Sequence, residues 1–188
     1  MNNVRLIFKG VTEIVGKNEL GLLILTDIEC KRQLSIICDR KKAIEVELRS
    51  KHIPITEDML PEALCKIIDK QSDQIQLELI INDIIDGEYQ VQLHNLIDDF
   101  TVPINAADAV LLSVAGKIPI YITIPLMCVQ SVKYKDNPNG VSIPLNSLSN
   151  DMLDQALDKA IHEENYELAS QLRDERNRRN PPSNPMSL

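Results

Sequence analysis

An α+β fold, a mixed β-sheet domain with packed helices followed by a small antiparallel helical hairpin, is predicted by three observations. Runs rich in Ile, Leu and Val alternate with polar residues through most of the first 132 positions. Helical spacing interrupts those runs at 40–70 and again at 105–116, so strands cluster rather than alternate with helices as in a doubly wound sheet. After position 150 the apolar period becomes that of a helix and stays so.

Residues 4–15 and 22–27 read as strands, with "GKNELG" (16–21) turning between them. The basic turn "ECKRQ" leads into a third strand, "QLSIICD" (33–39). "RKKAIEVELRSK" (40–51) carries Ala43, Ile44, Val46 and Leu48 and is read as a helix. "TEDMLPEALCKIIDK" (56–70) is a second helix, with Thr56 as N-cap, acids in the first turn and Leu60, Leu64, Ile67 and Ile68 on one face. Strands follow at 74–83 and 88–96, joined by the turn "IDG", and a short one at 100–104. "NAADAVLLSVAG" (105–116) is a helix that Asn105 caps and Gly116 stops, and "IPIYITI" (118–124) is the last strand. This gives an αβ domain over 1–132. The proline- and glycine-bearing stretch 133–150 reads as a linker, 151–179 as the helical hairpin and 180–188 as a disordered tail.

The charge balance limits what the chain can bind. Residues 1–150 hold 15 basic and 20 acidic side chains and residues 151–188 hold 5 and 8, which together make the net charge of −8. Both parts are acidic, so nucleic acid would not be held by bulk electrostatics. The most apolar stretch, "IPIYITIPLMCVQSV", is too short for a membrane span and contains Pro119 and Pro125. The opening residues lack the apolar core of a signal peptide, so the expected compartment is the cytoplasm. Cys30, Cys38, Cys65 and Cys128 show no metal-site spacing and are expected to be reduced core residues. His52, His94 and His162 stand isolated in sequence. The Ile- and Leu-rich αβ domain is expected to self-associate, as a dimer, through an uncovered strand edge.

Within 151–179 the apolar positions Met152, Leu153, Ala156, Leu157, Ala160 and Ile161, then Leu168, Ala169 and Leu172, keep helical spacing around the polar turn "HEENYE". So few leucine-sized side chains, at roughly 1.5–3 kcal/mol each, do not cover the ordering of about thirty residues at roughly 1–2 kcal/mol apiece. A partner surface is therefore expected. The pattern "AI-x-x-E-x-YE-x-A-x-x-LRD" resembles the UVR motif, the helical hairpin of excinuclease subunits B and C that also occurs in bacterial stress proteins. That resemblance implies protein docking, with Leu157, Ile161, Tyr166, Leu168, Leu172 and Arg173 as the docking residues.

Three stretches, "LILTDIECKRQLSIICDRKKAIEVEL" (23–48), "IPITEDML" (53–60) and "VPINAADAVLLSVAGKIPIYI" (102–122), resemble the bifunctional nuclease domain family in order and spacing. The resemblance implies metal-assisted cleavage of RNA or DNA. It implies catalytic roles for Asp58, Asp108 and Glu57, with Asp58 and Asp108 as ligands of Mg²⁺ or Mn²⁺. Arg40, Lys41 and Lys42, beside Lys31 and Arg32, form the one local basic cluster and are the expected phosphate contacts. Ser35, Asp39, Lys42, Glu57, Pro103 and Asn105 depart from the family pattern: Lys42 stands where it has glutamate, Glu57 where it has histidine and Asn105 where it has arginine. These departures carry the alternative expectation, a catalytically degenerate member acting as an oligomeric protein-interaction module in a stress or repair pathway.

Overall fold

The computed structural model describes residues 3–14, 17–71, 73–134 and 144–180. The chain divides into two compact units, residues 1–83 with 89–142 and residues 84–88 with 143–188. The first unit opens with three strands, β1 (Asn3–Ile14), β2 (Lys17–Asp27) and β3 (Arg32–Asp39). Two helices, α1 (Arg40–Ser50) and α2 (Leu60–Lys70), separate them from β4 (Leu77–Ile85), β5 (Glu88–Asn95) and β6 (Phe100–Asn105). Then come α3 (Ala106–Gly116), β7 (Ile120–Thr123), α4 (Ile124–Gln130) and the short β8 (Val132–Lys133). The α+β class follows as the clustering of strands predicts.

One eight-stranded sheet runs in the order β6-β5-β4-β7-β1-β2-β3-β8. The pairing of β4 with β7 is parallel, whereas β1 with β2 and β7, β2 with β3, β3 with β8, and β5 with β6 are antiparallel. Leu22, Leu23, Leu25, Leu34, Ile36, Leu79, Ile81, Ile120 and Ile122 are fully buried strand residues, so the sheet centre is the core. The scarcity of aromatics makes this core aliphatic and closely fitted. A Cβ on Gly21 would lie 2.6 Å from Ala43 Cβ, so glycine lets α1 lie directly on β2.

Several local expectations are corrected. The 16–21 turn is shorter than expected: β2 already begins at Lys17, paired with Ile14, and residues 15 and 16 lie outside the described residues. Thr56 does not cap α2. A helix begun at Thr56 would put Pro61 in its interior, where the missing N–H and the ring clash cost about 3 kcal/mol. The chain instead makes a 3-10 turn at Pro54–Thr56 and starts α2 at Leu60, so that Pro61 falls in the first turn. Thr56 is buried and its hydroxyl donates to the Ile53 carbonyl oxygen at 3.0 Å.

Gly116 is not the left-handed stop of α3, because Lys117 takes that conformation with φ 54°. Gly116 is needed for a different reason, since a Cβ there would meet Cys65 Sγ at 2.6 Å. The "IPIYITI" strand ends at Thr123, and α4 and β8 follow unanticipated. Cys38 and Cys65 are buried, as expected for reduced core cysteines, but Cys128 on α4 is exposed.

In the second unit α5 (Asn150–His162) and α6 (Tyr166–Arg179) are joined by a tight turn in which Glu164 has φ 55°. Ser149 caps α5 and Asn165 caps α6, each accepting from a main-chain amide of the first turn. Leu153, Leu157, Ala160, Ala169 and Leu172 form the buried centre, and Leu145 and Leu148 pack against it with Ala156 and Leu168. Of the stretch expected to be linker, residues 135–143 lie outside the described residues, while Leu145–Ser147 form a 3-10 turn. The tail from 181 also lies outside them.

Candidate functional site

Two helix starts bring the central polar group together. Asp39 caps α1 by accepting from the Lys42 amide at 2.8 Å, and Asn105 caps α3 by accepting from the Ala107 amide at 2.9 Å. Asp108, in the first turn of α3, then receives Lys42 from α1. Lys42 Nζ lies 2.8 Å from Asp108 Oδ1 and 3.3 Å from Glu45 Oε2. The Asp108 carboxylate, foremost through this hydrogen bond, holds the Lys42 ammonium above the ordinary lysine range. The Lys42 side chain is 26% exposed and that of Asp108 48%, so the pair is only partly shielded from solvent.

Glu57 and Asp58 are exposed residues of the turn before α2. They lie ahead of its first turn, so a favourable place for acids at a helix start does not explain these residue types. The Glu57 carbonyl oxygen accepts from Lys66 Nζ at 3.0 Å. Among the described residues, no group of three or more His, Cys, Asp and Glu side chains gathers so as to hold a metal ion. Mg²⁺ takes about six oxygen ligands in near-ideal geometry, whereas here an ammonium already donates to Asp108. The residues present therefore do not fit a resident Mg²⁺ or Mn²⁺.

The basic cluster is largely committed to neighbours. Arg40 pairs with Glu13 at 3.1 Å, Lys31 pairs with Glu29, and Lys42 holds Asp108. The Arg32 guanidinium donates to Ser131 Oγ and to the Ser131 carbonyl oxygen, both at 2.6 Å. Lys41 is exposed and makes no ion pair among the described residues. Arg40, Lys41 and Lys42 thus do not form a patch of uncommitted cations.

Two polar groups of the first unit were missed in the sequence. Arg49, buried on α1, grips Glu62 of α2 with both oxygens, at 2.6 and 3.0 Å, and so ties the two helices. His94 on β5 is not isolated: its Nδ1 lies 3.0 Å from Glu78 Oε1 on β4 and its Nε2 lies 2.8 Å from Asp99 Oδ1. With a carboxylate at each ring nitrogen, both nitrogens donate only in the imidazolium form. The Glu78 hydrogen bond, then that of Asp99, raises the His94 pKa above 6.5. Strand pairing could have suggested the Glu78 contact, but no sequence spacing announces it.

The expected docking residues separate by exposure. Leu157 and Leu172 are buried within the hairpin's own cluster, and Leu168 packs against it. Ile161 and Tyr166, 53% and 69% exposed, stand at the turn end, and Arg173 is exposed on α6. The hairpin also has a clasp that the sequence did not disclose. Arg179, its side chain 2% exposed, donates to the carbonyl oxygens of Leu148 and Asn146 at 2.7 and 3.0 Å and pairs with Glu175 at 2.9 Å. Leu145 and Leu148 add to the apolar cluster of the hairpin beyond the leucines of its two helices.

A concavity of about 610 Å³ opens elsewhere, lined by Asn3, Asn82, Asp83, Thr123, Pro125, Leu126 and Val129, and holds none of the expected catalytic residues. Among the described residues no helix is long and apolar enough to cross a membrane. The curated proteins include no match to the chain. The model of the bifunctional nuclease domain family matches residues 23–135, which is more than half of the sequence and takes in α1, α2, α3 and the Lys42–Asp108 pair, and the chain belongs to that family.

Proposed function

We propose that this chain is a catalytically weakened member of the bifunctional nuclease domain family that acts as an oligomeric protein-interaction module, docking partners through its UVR-type hairpin. The observation that carries this reading is the Lys42 ammonium on Asp108. A family-like site asks for carboxylates around a divalent cation that activates water and neutralises the phosphate. Here the position expected to be glutamate supplies a cation, and a lysine held protonated is no base for water and competes with a metal for Asp108. Missing acid–base chemistry alone costs about 10²–10⁴-fold in rate. Docking is carried by Ile161, Tyr166 and Arg173, which remain exposed after the hairpin has formed its own core.

The test is cleavage of single-stranded RNA and DNA with Mn²⁺ or Mg²⁺ by the wild type, Asp108→Ala and Lys42→Glu. The expected wild-type rate is indistinguishable from that of Asp108→Ala. Robust wild-type cleavage that disappears in Asp108→Ala would establish a working nuclease and overturn the reading. Asn105→Arg, which restores the family's residue, is a poor rescue because it removes the α3 cap at a cost of about 0.5–2 kcal/mol.

A further inference from the structure

The sheet leaves a hollow where its parallel pair ends. Strands β4 and β7 run side by side only as far as Ile81 and Ile122. β7 then stops at Thr123, where the chain turns into α4 with Pro125 in its first turn, while β4 continues to Ile85. Asn82 and Asp83 are thus carried past the last rung that β4 shares with β7. On the other side of β7, Asn3 of β1 is in register with Thr123. These four polar residues gather at one end of three neighbouring strands and, with Leu126 and Val129 of α4, line the concavity of about 610 Å³. Ligand clefts in sheets with parallel strands lie beyond the carboxyl ends of those strands, and the volume is that of a small-molecule site.

The lining says what kind of ligand fits. Asn3 Oδ1 is buried and has no hydrogen-bond partner among the described residues, whereas buried acceptors are ordinarily paired, so the site lacks an N–H donor. Asp83 adds a carboxylate, Asn82 and Thr123 add further acceptor oxygens, and no Lys or Arg is among the lining residues. An anion would meet the Asp83 charge there with no cation in the lining to offset it. A divalent metal fits no better, because among the described residues no three His, Cys, Asp or Glu side chains gather to hold one. Val129, 68% exposed, and Leu126 supply an apolar strip along which a methylene chain can lie.

We propose that this concavity binds a small organic cation, an ammonium or guanidinium on a short alkyl stem. Its N–H groups reach Asn3 Oδ1 and Asp83, and its stem lies along Leu126 and Val129. The site is separate from the Lys42–Asp108 pair and does not depend on whether that pair cleaves nucleic acid.

Titration calorimetry of the full chain at constant ionic strength tests the assignment, with putrescine, agmatine, N-acetyl-lysine amide and, as the anionic control, butyrate. At least one of the three cations should bind one per chain with a Kd of about 1 mM or tighter, and butyrate should not bind. Tighter binding of putrescine or agmatine assigns the site to a free amine, and tighter binding of N-acetyl-lysine amide to a lysine side chain. Asp83→Asn should weaken binding about 10-fold or more, and Asn3→Ala should weaken it as well. Val129→Lys, at an exposed position that the fold does not need, should abolish it. Asp158→Asn makes the same change of charge on the exposed face of α5 and should leave binding unaltered. The proposal is overturned if none of the three cations saturates the chain, if butyrate binds equally well, or if Val129→Lys or Asp83→Asn binds undiminished. Equal weakening in Asp158→Asn would also overturn it, since the cation would then be answering only the acidity of the whole chain.

Discussion

At the scale of single residues, ionic contacts between distant positions decide the character of the polar groups. Lys42 and Asp108 are far apart in sequence and meet because two capped helix starts adjoin. No spacing rule encodes that meeting, so the residue types of the candidate site were legible and their commitments were not. His94 shows the same thing with a measurable consequence. Its folded pKa is raised above 6.5 by Glu78 and Asp99, so protonated His94 contributes stability that is fully present below the unfolded value and is lost as pH rises through the folded one. The stability advantage of the wild type over His94→Gln should therefore shrink as pH increases from about 6 to 8. Urea denaturation at several pH values measures it. An advantage that is constant or grows with pH would rule out the two-carboxylate clamp.

At the scale of elements, the apolar period identified most strands and five of the six α-helices among the described residues, because tertiary packing agrees with local pattern in those segments. It failed where chemistry other than period decides the outcome. Pro61 moved the start of α2, and the period could not say which face of that helix would pack against α3. The α4 helix was hidden by the β-branched run before it and by Pro125, which reads as a breaker until it is seen in the first turn. In α6 no pattern tells the terminal arginines apart, yet the Arg179 side chain is buried against Asn146 and Leu148 while that of Arg178 beside it is 66% exposed. Arg179→Ala strands those carbonyl oxygens while Glu175 keeps Arg178, and should destabilise the hairpin by about 1–3 kcal/mol. Arg178→Ala should change it by less than about 0.5 kcal/mol. Amide hydrogen exchange across α5 and α6 reads both. Equal protection in the two variants would show that the clasp contributes nothing.

At the scale of the whole molecule, the matched family region and the last strand of the sheet end almost together. A domain boundary at Val132 follows from the proline- and glycine-bearing stretch beyond it, but β8 crosses that point. Lys133 pairs with Arg32, Val132 pairs with Gln33, and the Tyr134 amide donates to the Lys31 carbonyl oxygen at 3.0 Å. The approach to β8 is also held internally: Gln130 is buried and accepts from the Tyr89 hydroxyl at 3.4 Å, and Arg32 grips Ser131. Two chains that differ by two residues should therefore behave differently. A chain ending at Tyr134 keeps every strand of the sheet and should unfold cooperatively. One ending at Val132 lacks Lys133 and Tyr134 and leaves the outer side of β3 uncovered beside an exposed Cys128. The loss of a few backbone hydrogen bonds, each worth about 0.5–1.5 kcal/mol net, should lower its stability by about 1–3 kcal/mol without abolishing the fold. Urea titration gives the difference, and near-ultraviolet circular dichroism gives the packing around Tyr89. If the longer chain is molten, the sheet depends on residues after Tyr134, and the αβ domain does not fold as an independent unit.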